Sequence, residues 1–224
     1  MGSRRLPGKS MLAVWREMPL IELVLRRVGS ARLVDEVMLV TSEHARDEPL
    51  AAVARELGVA VFRGSEDDVL GRFAGALNRT QADAVVRVCA DNPFVEPSAL
   101  DRLVDLFKAG QPCDYATNSA ARCGLPDGIG AEVLTAEALL DAAREARGRS
   151  EREHVCQFIV ERPARFSLAY APAPEPALPR AKLDIDTPAD YSAMCELAGA
   201  LPDDDAPLWS CETILDAWRR TTAR

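Results

Sequence analysis

The first residues of the printed sequence combine small side chains with three cations in one short segment. Residues 2–9 read G-S-R-R-L-P-G-K, in which the cations are Arg4, Arg5 and Lys9. Small residues let the backbone approach a ligand closely, and the cations suit a polyphosphate. A solvated basic terminus has the same composition, so the segment alone leaves both interpretations open.

A second candidate for chemistry is Asp91, which follows the predicted buried strand 84–88 and precedes Pro93. In an open α/β sheet the ligand lies at the carboxyl ends of the strands. A carboxylate in that position is a natural magnesium ligand. An aspartate that forms a turn or caps a helix explains the same pattern, so this alternative stays open.

A third candidate is the pair Asp184 and Asp186, which alternation in an extended segment places on one face. Two carboxylates on one face repel each other unless a cation lies beside them, and a divalent metal would supply that charge. The alternative is a helix cap, in which Asp186 or Thr187 precedes Pro188 at the first helical turn.

Alternating strands and helices must position these candidates. The segment 37–62 fits a strand, a helix ended by Gly58 and a second strand, and later segments repeat the alternation. This order predicts a doubly wound α/β fold with a mostly parallel sheet. The predicted strands are 37–40, 59–62, 84–88, 114–117, 131–134 and 166–171, and the predicted helices are 19–28, 48–57, one ending near 77, 98–108, 136–147, one opening at Ser150, 188–200 and 208–219, with a proline-rich loop over 171–176.

Length and charge narrow the class of protein. The 224 residues suffice for one principal domain, 1–224, with an irregular portion over about 114–170. A net charge of −8 argues against nucleic acid as a partner, and 48% hydrophobic residues exclude a disordered chain. Because no apolar run approaches the roughly 18 residues of a membrane span and no signal-peptide core is seen, we expect a soluble, cytoplasmic protein without a membrane partner.

The six cysteines lack a C-x-x-C pair or a histidine spacing typical of zinc sites. Cys156 lies two residues from His154, and on a helix this spacing points the two side chains to different faces. A Cys/His nucleophile is therefore disfavoured. Ser150 and Glu153 fit an S-x-x-E capping box, which explains both residues without a functional role.

The basic segment, Asp91 and Asp186 together match the requirements of nucleotidyl transfer. Magnesium held by the two aspartates would bridge triphosphate oxygens. Arg5 and Lys9 would neutralise charge on the phosphorus under attack and on the leaving pyrophosphate.

Six ordered motifs extend the pattern over almost the whole chain: M-G-S-R-R-L-P-G-K, F-R-G-S-E-D-D-V-L-G-R, V-R-V-C-A-D-N-P, P-D-G-I-G-A-E-V, S-E-R-E-H-V and D-I-D-T-P-A-D. In this order they resemble the spore-coat-polysaccharide type of cytidylyltransferase, a relative of the CMP-Kdo and CMP-sialate synthetases. The resemblance implies the nucleotide-diphospho-sugar transferase fold, CTP and Mg²⁺ as ligands, and CMP transfer to a sugar acid or sugar phosphate.

The resemblance also implies roles for individual residues. Arg5, Lys9 and Asp91 match catalytic positions, and Asp91 with Asp186 matches the metal ligands. A second group matches segments that in the family lie toward the substrates or toward a homodimer contact. This group is Gly2, Ser3, Asp127, Glu132, Arg152 and His154.

Three departures from the family pattern bear on these expectations. The family places a buried strand and a Q-A-R segment before the basic loop, so either such a strand is encoded upstream or the nucleotide site is incomplete. Gly130 stands where similar sequences carry an acid, and Asp184 stands where they tend to carry threonine.

Two other classes of function stay open at this stage. A glycosyltransferase of the same fold would use the D-x-D pattern at 184–186 to hold its metal, and it would not release pyrophosphate from CTP. A non-catalytic or scaffolding member of the family would fit an incomplete nucleotide site and the glycine at position 130.

Overall fold

The structure is a computed structural model that describes residues 2–119, 121–172, 178, 180–204 and 206–223. Within these ranges helices alternate with strands over most of the chain, as an α/β fold requires. Most of the proline-rich loop predicted at 171–176 lies outside the described residues.

The basic segment leads into a short hairpin and the first helix. A 3-10 turn at Lys9–Met11 precedes β1 (Ala13–Trp15), which pairs antiparallel with β2 (Met18–Pro19). Helix α1 (Leu20–Val28) follows directly and buries its apolar face. Arg27 in this helix is fully buried, and its guanidinium donates hydrogen bonds to backbone carbonyls, including those of Val95 and Trp209.

The predicted strand, helix and strand unit is present. Strands β3 (Met38–Ser42) and β4 (Ala60–Gly64) pair in parallel, and α2 (Glu48–Glu56) connects them. Gly58 adopts φ 72°, the left-handed conformation that ends helices at glycine. Helix α3 (Val69–Leu77) then begins at Asp68, whose side chain accepts a hydrogen bond from the Gly71 amide at 2.8 Å.

The larger sheet has four strands in the order β5–β7–β6–β8. It is mixed: β7 runs antiparallel to both β5 and β6, while β6 and β8 are parallel. The connection from β6 to β7 contains a 3-10 turn rather than a long helix crossing the sheet, and β7 returns in the opposite direction. These strands are β5 (Ala84–Arg87), β6 (Tyr115–Thr117), β7 (Glu132–Thr135) and β8 (Leu168–Tyr170).

Helices cover the larger sheet and form two of the hydrophobic clusters. One cluster centres on the buried Trp209 and Phe94, and the other on Leu70, Leu139 and Ile159. The remaining helices are α4 (Pro97–Ala109), α5 (Ala136–Glu145), α6 (Arg149–Glu153), α7 (Gln157–Val160), α8 (Pro188–Gly199) and α9 (Cys211–Thr222).

The predicted capping box at Ser150 and Glu153 is wrong. Helix α6 begins one residue earlier, and its N-cap is Gly148, which has no side chain with which to form a capping box. The Glu151 carboxylate accepts a hydrogen bond from the Gly148 amide at 3.0 Å. Ser150 donates to the Gln157 side chain at 2.6 Å instead of capping the helix.

The segment 182–186 is not part of a strand, although Lys182 forms an isolated parallel bridge with Asp127. Thr187 is the cap of α8: it accepts a hydrogen bond from the Asp190 amide at 3.2 Å, and Asp190 accepts one from the Thr187 amide at 2.8 Å. The cap therefore does not use the carboxylate of Asp186. In the part of the chain that is described, no helix is long and apolar enough to cross a membrane.

Candidate functional site

The ammonium group of Lys9 joins three parts of the chain that are far apart in sequence. It donates hydrogen bonds to Asp91 Oδ2 at 2.9 Å, to Asp186 Oδ1 at 3.3 Å and to the Ile185 carbonyl at 2.6 Å. Gly8, with φ 73°, turns the backbone immediately before Lys9. Since the Lys9 side chain is only 14% exposed, these contacts are partly shielded from water.

Arg5 adds a second cation to the same cluster. Its guanidinium lies 2.8 Å from Asp186 Oδ1, and its side chain is 64% exposed. The two cations balance the two carboxylates of Asp91 and Asp186, so the cluster has no net charge. The exposed guanidinium leaves most of its donors free to meet an anion from solvent.

The donor set around Lys9 fits a hard divalent cation. Two carboxylate oxygens and one carbonyl oxygen converge on the point that the ammonium occupies, and magnesium prefers oxygen ligands. Among the described residues no group of three or more His, Cys, Asp and Glu side chains could hold a metal. The remaining ligands of a bound ion would therefore come from water or from a phosphate substrate.

The first residues of the basic segment lie against the ends of β3 and β4. A side chain at Gly2 would meet Arg46 at 2.7 Å and Glu66 at 2.9 Å, so this backbone approaches the Arg46–Glu66 ion pair closely. Ser3 accepts a hydrogen bond from the Leu6 amide at 3.2 Å, which supports the turn of the segment.

The structure has a small cavity of about 130 Å³. Asn92, which follows Asp91 in the chain, forms part of its wall. Asp127 and Glu132, which the sequence analysis assigns to substrate binding, both line it. The full lining is Arg87, Cys89, Asn92, Ser119, Pro126, Asp127, Gly128, Gly130, Ala131 and Glu132.

Glu132 holds an arginine in place at the wall of this cavity. One carboxylate oxygen pairs with the Arg87 guanidinium, and the other accepts a hydrogen bond from the Tyr115 hydroxyl at 2.7 Å. Burial and the adjacent Glu132 raise the pKa of Tyr115. Tyr115 therefore stays protonated and keeps donating to Glu132 at neutral pH.

Arg152 and His154 do not line the cavity. Arg152 pairs with Asp68 at the start of α3 and donates to the Ala143 carbonyl at 2.6 Å. His154 follows the last residue of α6 and is exposed. These contacts attach α6 to α3 and α5, so Arg152 has a structural role in this conformation.

The cysteines near the cavity are poor nucleophiles. Burial raises the pKa of the Cys89 thiol, and it raises that of Cys156 well above the ordinary range. Both groups therefore stay as thiols at neutral pH. Cys156 is buried whereas His154 is exposed, which disfavours a Cys/His pair as the sequence spacing predicts.

Asp184 does not share a cation with Asp186. Its carboxylate lies 3.0 Å from Lys182, whose ammonium also contacts Asp190 at 3.1 Å. The two acids of the D-x-D pattern therefore pair with different cations. This arrangement gives no support to a metal site shared by both side chains.

Gly130 leaves room for a buried asparagine. A side chain here would meet Asn118 Oδ1 at 2.5 Å and Ser119 Oγ at 2.8 Å. Asn118 cannot easily move, because it accepts from the Ala131 amide at 2.7 Å and donates to the Ala99 carbonyl at 2.9 Å.

Gly130→Ala is therefore expected to lower the free energy of unfolding by about 1–3 kcal/mol, the usual range for overpacking. Gly199→Ala is the matched control, because nothing lies within 4 Å of the added carbon at the end of α8. The control should be neutral or up to ~1 kcal/mol more stable. Urea unfolding of both variants checks this, and equal stabilities would contradict the account.

Asp190 fixes the backbone that carries Asp186. Its carboxylate accepts hydrogen bonds from the Asp186 amide at 3.0 Å and the Thr187 amide at 2.8 Å. Although burial acts in the opposite direction, hydrogen bonds from Lys182 and Thr187 lower the pKa of Asp190 from 3.8 to about 2. The stabilisation is therefore present above about pH 4 and is lost as the pH falls toward 2.

Asp190→Asn is expected to cost about 1 kcal/mol at pH 7, because solvent screens part of the interaction. Urea unfolding of both proteins between pH 2 and pH 7 measures the difference. The account requires that difference to shrink between pH 4 and pH 2. If the difference in the free energy of unfolding stays constant with pH, the effect comes from packing instead.

Several site residues escaped the sequence analysis. The Ile185 carbonyl carries no side-chain signal. Asn92 stands in a motif and Tyr115 in a predicted strand, and neither has a pattern that distinguishes it. Arg87 did carry one, because it is a charged residue inside the otherwise apolar predicted strand 84–88. A charge in a buried strand is expected to have a partner or a ligand.

Several known proteins are similar to this chain in sequence. A family model described as "Cytidylyltransferase" matches residues 1–210. The spore coat polysaccharide biosynthesis protein SpsF of Bacillus subtilis (strain 168) is 34% identical over 213 residues, which cover 91% of this chain and 86% of that protein. A 3-deoxy-manno-octulosonate cytidylyltransferase of Geobacter sulfurreducens is 32% identical over 124 residues, 54% of this chain and 44% of that protein.

A solved structure matches the whole chain. It is a cytidylyltransferase from Leptospira borgpetersenii serovar Hardjo-bovis (strain JB197), with a TM-score of 0.90 and 26% sequence identity. The match covers 100% of this chain and 92% of that one. This likeness confirms the α/β fold predicted from the sequence.

Proposed function

The chain belongs to the cytidylyltransferase family, and from this premise we propose that it transfers CMP from CTP to an acidic sugar or sugar phosphate. The oxygen of the acceptor hydroxyl attacks the α-phosphorus in line, its proton passes to a carboxylate or to water, and the bond from the α-phosphorus to pyrophosphate breaks. The names of two relatives support the class of product, since one acts in spore coat polysaccharide biosynthesis and one is a 3-deoxy-manno-octulosonate cytidylyltransferase.

The observation that supports this proposal most strongly is the contact of Lys9 with both Asp91 and Asp186. Nucleotidyl transfer needs cations beside the triphosphate and carboxylates that carry a divalent ion. The cluster supplies Lys9 as a cation and holds both carboxylates within 3.3 Å of its ammonium. We assign magnesium to Asp91 and Asp186, where it would neutralise charge on the triphosphate.

The residues of the chain have distinct tasks in this mechanism. Lys9 would donate hydrogen bonds to phosphate oxygens of CTP, and the exposed Arg5 would pair with the leaving pyrophosphate. The small cavity beside Asn92 takes the acceptor. Most of its wall comes from 119–132, inside the portion 114–170 that we assign to acceptor binding.

Pyrophosphate release in the presence of Mg²⁺ tests the proposal. Each of the four nucleoside triphosphates is combined with a panel of sugar acids, sugar phosphates and neutral sugars. Release with CTP and one acidic acceptor is the expected result. Release with another triphosphate only would contradict the assignment of CTP.

Two further outcomes separate the alternatives. Consumption of a nucleotide sugar without pyrophosphate release from CTP would favour a glycosyltransferase. Absence of CTP binding, measured by calorimetry, would favour a non-catalytic member of the family.

The variant Asp216→Asn is a suitable control for aspartate substitutions, because Asp216 pairs with Arg219 on the exposed surface of α9 at 2.6 Å.

A further inference from the structure

Arg87 presents a half-occupied guanidinium to the small cavity. One of its nitrogens pairs with Glu132, and no other hydrogen bond of its side chain is found within the described part of the chain. Its remaining N–H groups are not among the buried polar atoms that lack a partner, and the side chain is 23% exposed. These groups therefore reach the open space of the cavity that Arg87 lines.

Two neutral donors face the same space. The amide of Asn92 has no side-chain hydrogen bond to the described residues, and the hydroxyl of Ser119 makes only a long contact of 3.3 Å to the Ala131 carbonyl. The guanidinium edge, the amide and the hydroxyl together place three hydrogen-bond donors on this part of the cavity wall. Such a set suits a planar oxyanion, which accepts two parallel hydrogen bonds from arginine.

The charges of the lining restrict which oxyanion fits. Arg87 contributes one positive charge, and Glu132 and Asp127 contribute two negative charges. Asp127 is exposed, so water weakens its repulsion of a ligand. The lining therefore has a net charge of −1, and a singly charged carboxylate meets less repulsion there than a phosphate dianion would. The two oxygens of a carboxylate also match the free edge of Arg87.

We propose that Arg87 receives the carboxylate of the acceptor and thereby makes the enzyme selective for sugar acids over sugar phosphates and neutral sugars. This inference rests on the proposed function, because it concerns the acceptor of that reaction. Glu132 and Tyr115 are positioning residues: they hold the guanidinium with its free edge toward the cavity. This changes the role of Glu132, which the sequence analysis assigns to direct substrate binding.

The test measures pyrophosphate release at saturating CTP with 3-deoxy-manno-octulosonate and other sugar acids, their carboxamides, and sugar phosphates. Arg87→Gln is expected to raise the KM for a sugar acid about 10²-fold, the effect of losing a charged hydrogen-bond pair. The KM for CTP should stay within about twofold, since Arg87 is not in the Lys9 cluster. The carboxamide should be an equally poor substrate for the wild-type enzyme and for Arg87→Gln.

Three more variants separate recognition from folding. Arg87→Lys keeps the positive charge but loses the planar pair of guanidinium donors. Its KM for a sugar acid should therefore lie between those of the wild-type enzyme and Arg87→Gln. Tyr115→Phe should raise the acceptor KM several-fold with kcat nearly unchanged, because only the position of Arg87 is relaxed. Arg26→Gln, on the exposed face of α1, is the control and should leave both KM values unchanged.

Several outcomes would overturn the inference. Turnover of sugar phosphates or neutral sugars in preference to every sugar acid would do so, and so would an unchanged acceptor KM in Arg87→Gln. Failure of all sugar acids while CTP still binds would also overturn it, and the nucleotide part of the proposed function would stand. Failure of CTP binding would instead count against the proposed function itself.

Discussion

Asp91→Asn and Asp186→Asn are each expected to lower kcat about 10³-fold, the loss typical of removing one group that stabilises charge in a transition state. The amide keeps the shape of the side chain, but it removes the negative charge that pairs with Lys9 at 2.9 Å or 3.3 Å. It also weakens the oxygen ligand offered to a divalent ion. Pyrophosphate release at saturating CTP measures the effect.

The control for both variants is Asp216→Asn, which breaks an exposed ion pair on α9 and should keep full activity. Thermal unfolding should place all three variants within a few degrees of the wild-type protein, because the Lys9 cluster is partly solvated. Full activity in both Asp91→Asn and Asp186→Asn would refute the proposed mechanism.

Lys9→Met is expected to have two opposite effects. Turnover should fall about 10²- to 10³-fold, because the triphosphate loses a buried donor. Binding of Mn²⁺ without CTP should become tighter by about tenfold, or ~1.4 kcal/mol. The ammonium competes for the same oxygens, and its removal leaves Asp91 and Asp186 without their shared cation.

Calorimetric titration with Mn²⁺ separates these effects. Lys108→Met is the matched control, since Lys108 is exposed in the last turn of α4 and lies outside the cluster. The control should bind Mn²⁺ as the wild-type protein does. Weaker Mn²⁺ binding by Lys9→Met than by the control would show that the carboxylates do not form the ion site.

Much of the fold was predictable because local patterns determine it. Apolar runs identified β3, β4 and β5, and Gly58 marked the end of α2 through its left-handed conformation. The six motifs identified the family, which the comparisons confirm. The antiparallel direction of β7 was not predictable from its own residues, since it depends on how the preceding segment crosses the sheet.

The candidate site was also only partly predictable from the sequence. The strand-end rule selected Asp91, but Lys9 lies 82 residues from it and 177 residues from Asp186, so only the folded chain shows that the three side chains meet. The position of the cavity also depends on a contact between residues that are far apart in sequence. Gly128, with φ 88°, packs so close to Leu183 that an added carbon would lie 2.7 Å from its backbone.

Roles assigned by resemblance alone stay predictions, and at two of these residues the local structure also engages the side chain. Arg152 is engaged by Asp68 and by the Ala143 carbonyl, and Glu132 is engaged by Arg87 and Tyr115. Both residues were selected from motifs, yet each makes contacts that explain its presence structurally. Such partners are not visible in a linear sequence, because they come from other elements of the fold.

A crystal structure of the protein with CTP and Mn²⁺ would show the proposed ion site itself. The ion should lie between Asp91 and Asp186, with the ammonium of Lys9 moved from these carboxylates to phosphate oxygens of CTP. Arg5 should contact the same triphosphate. CTP bound with Lys9 still on both aspartates, and with Mn²⁺ held elsewhere, would contradict the account.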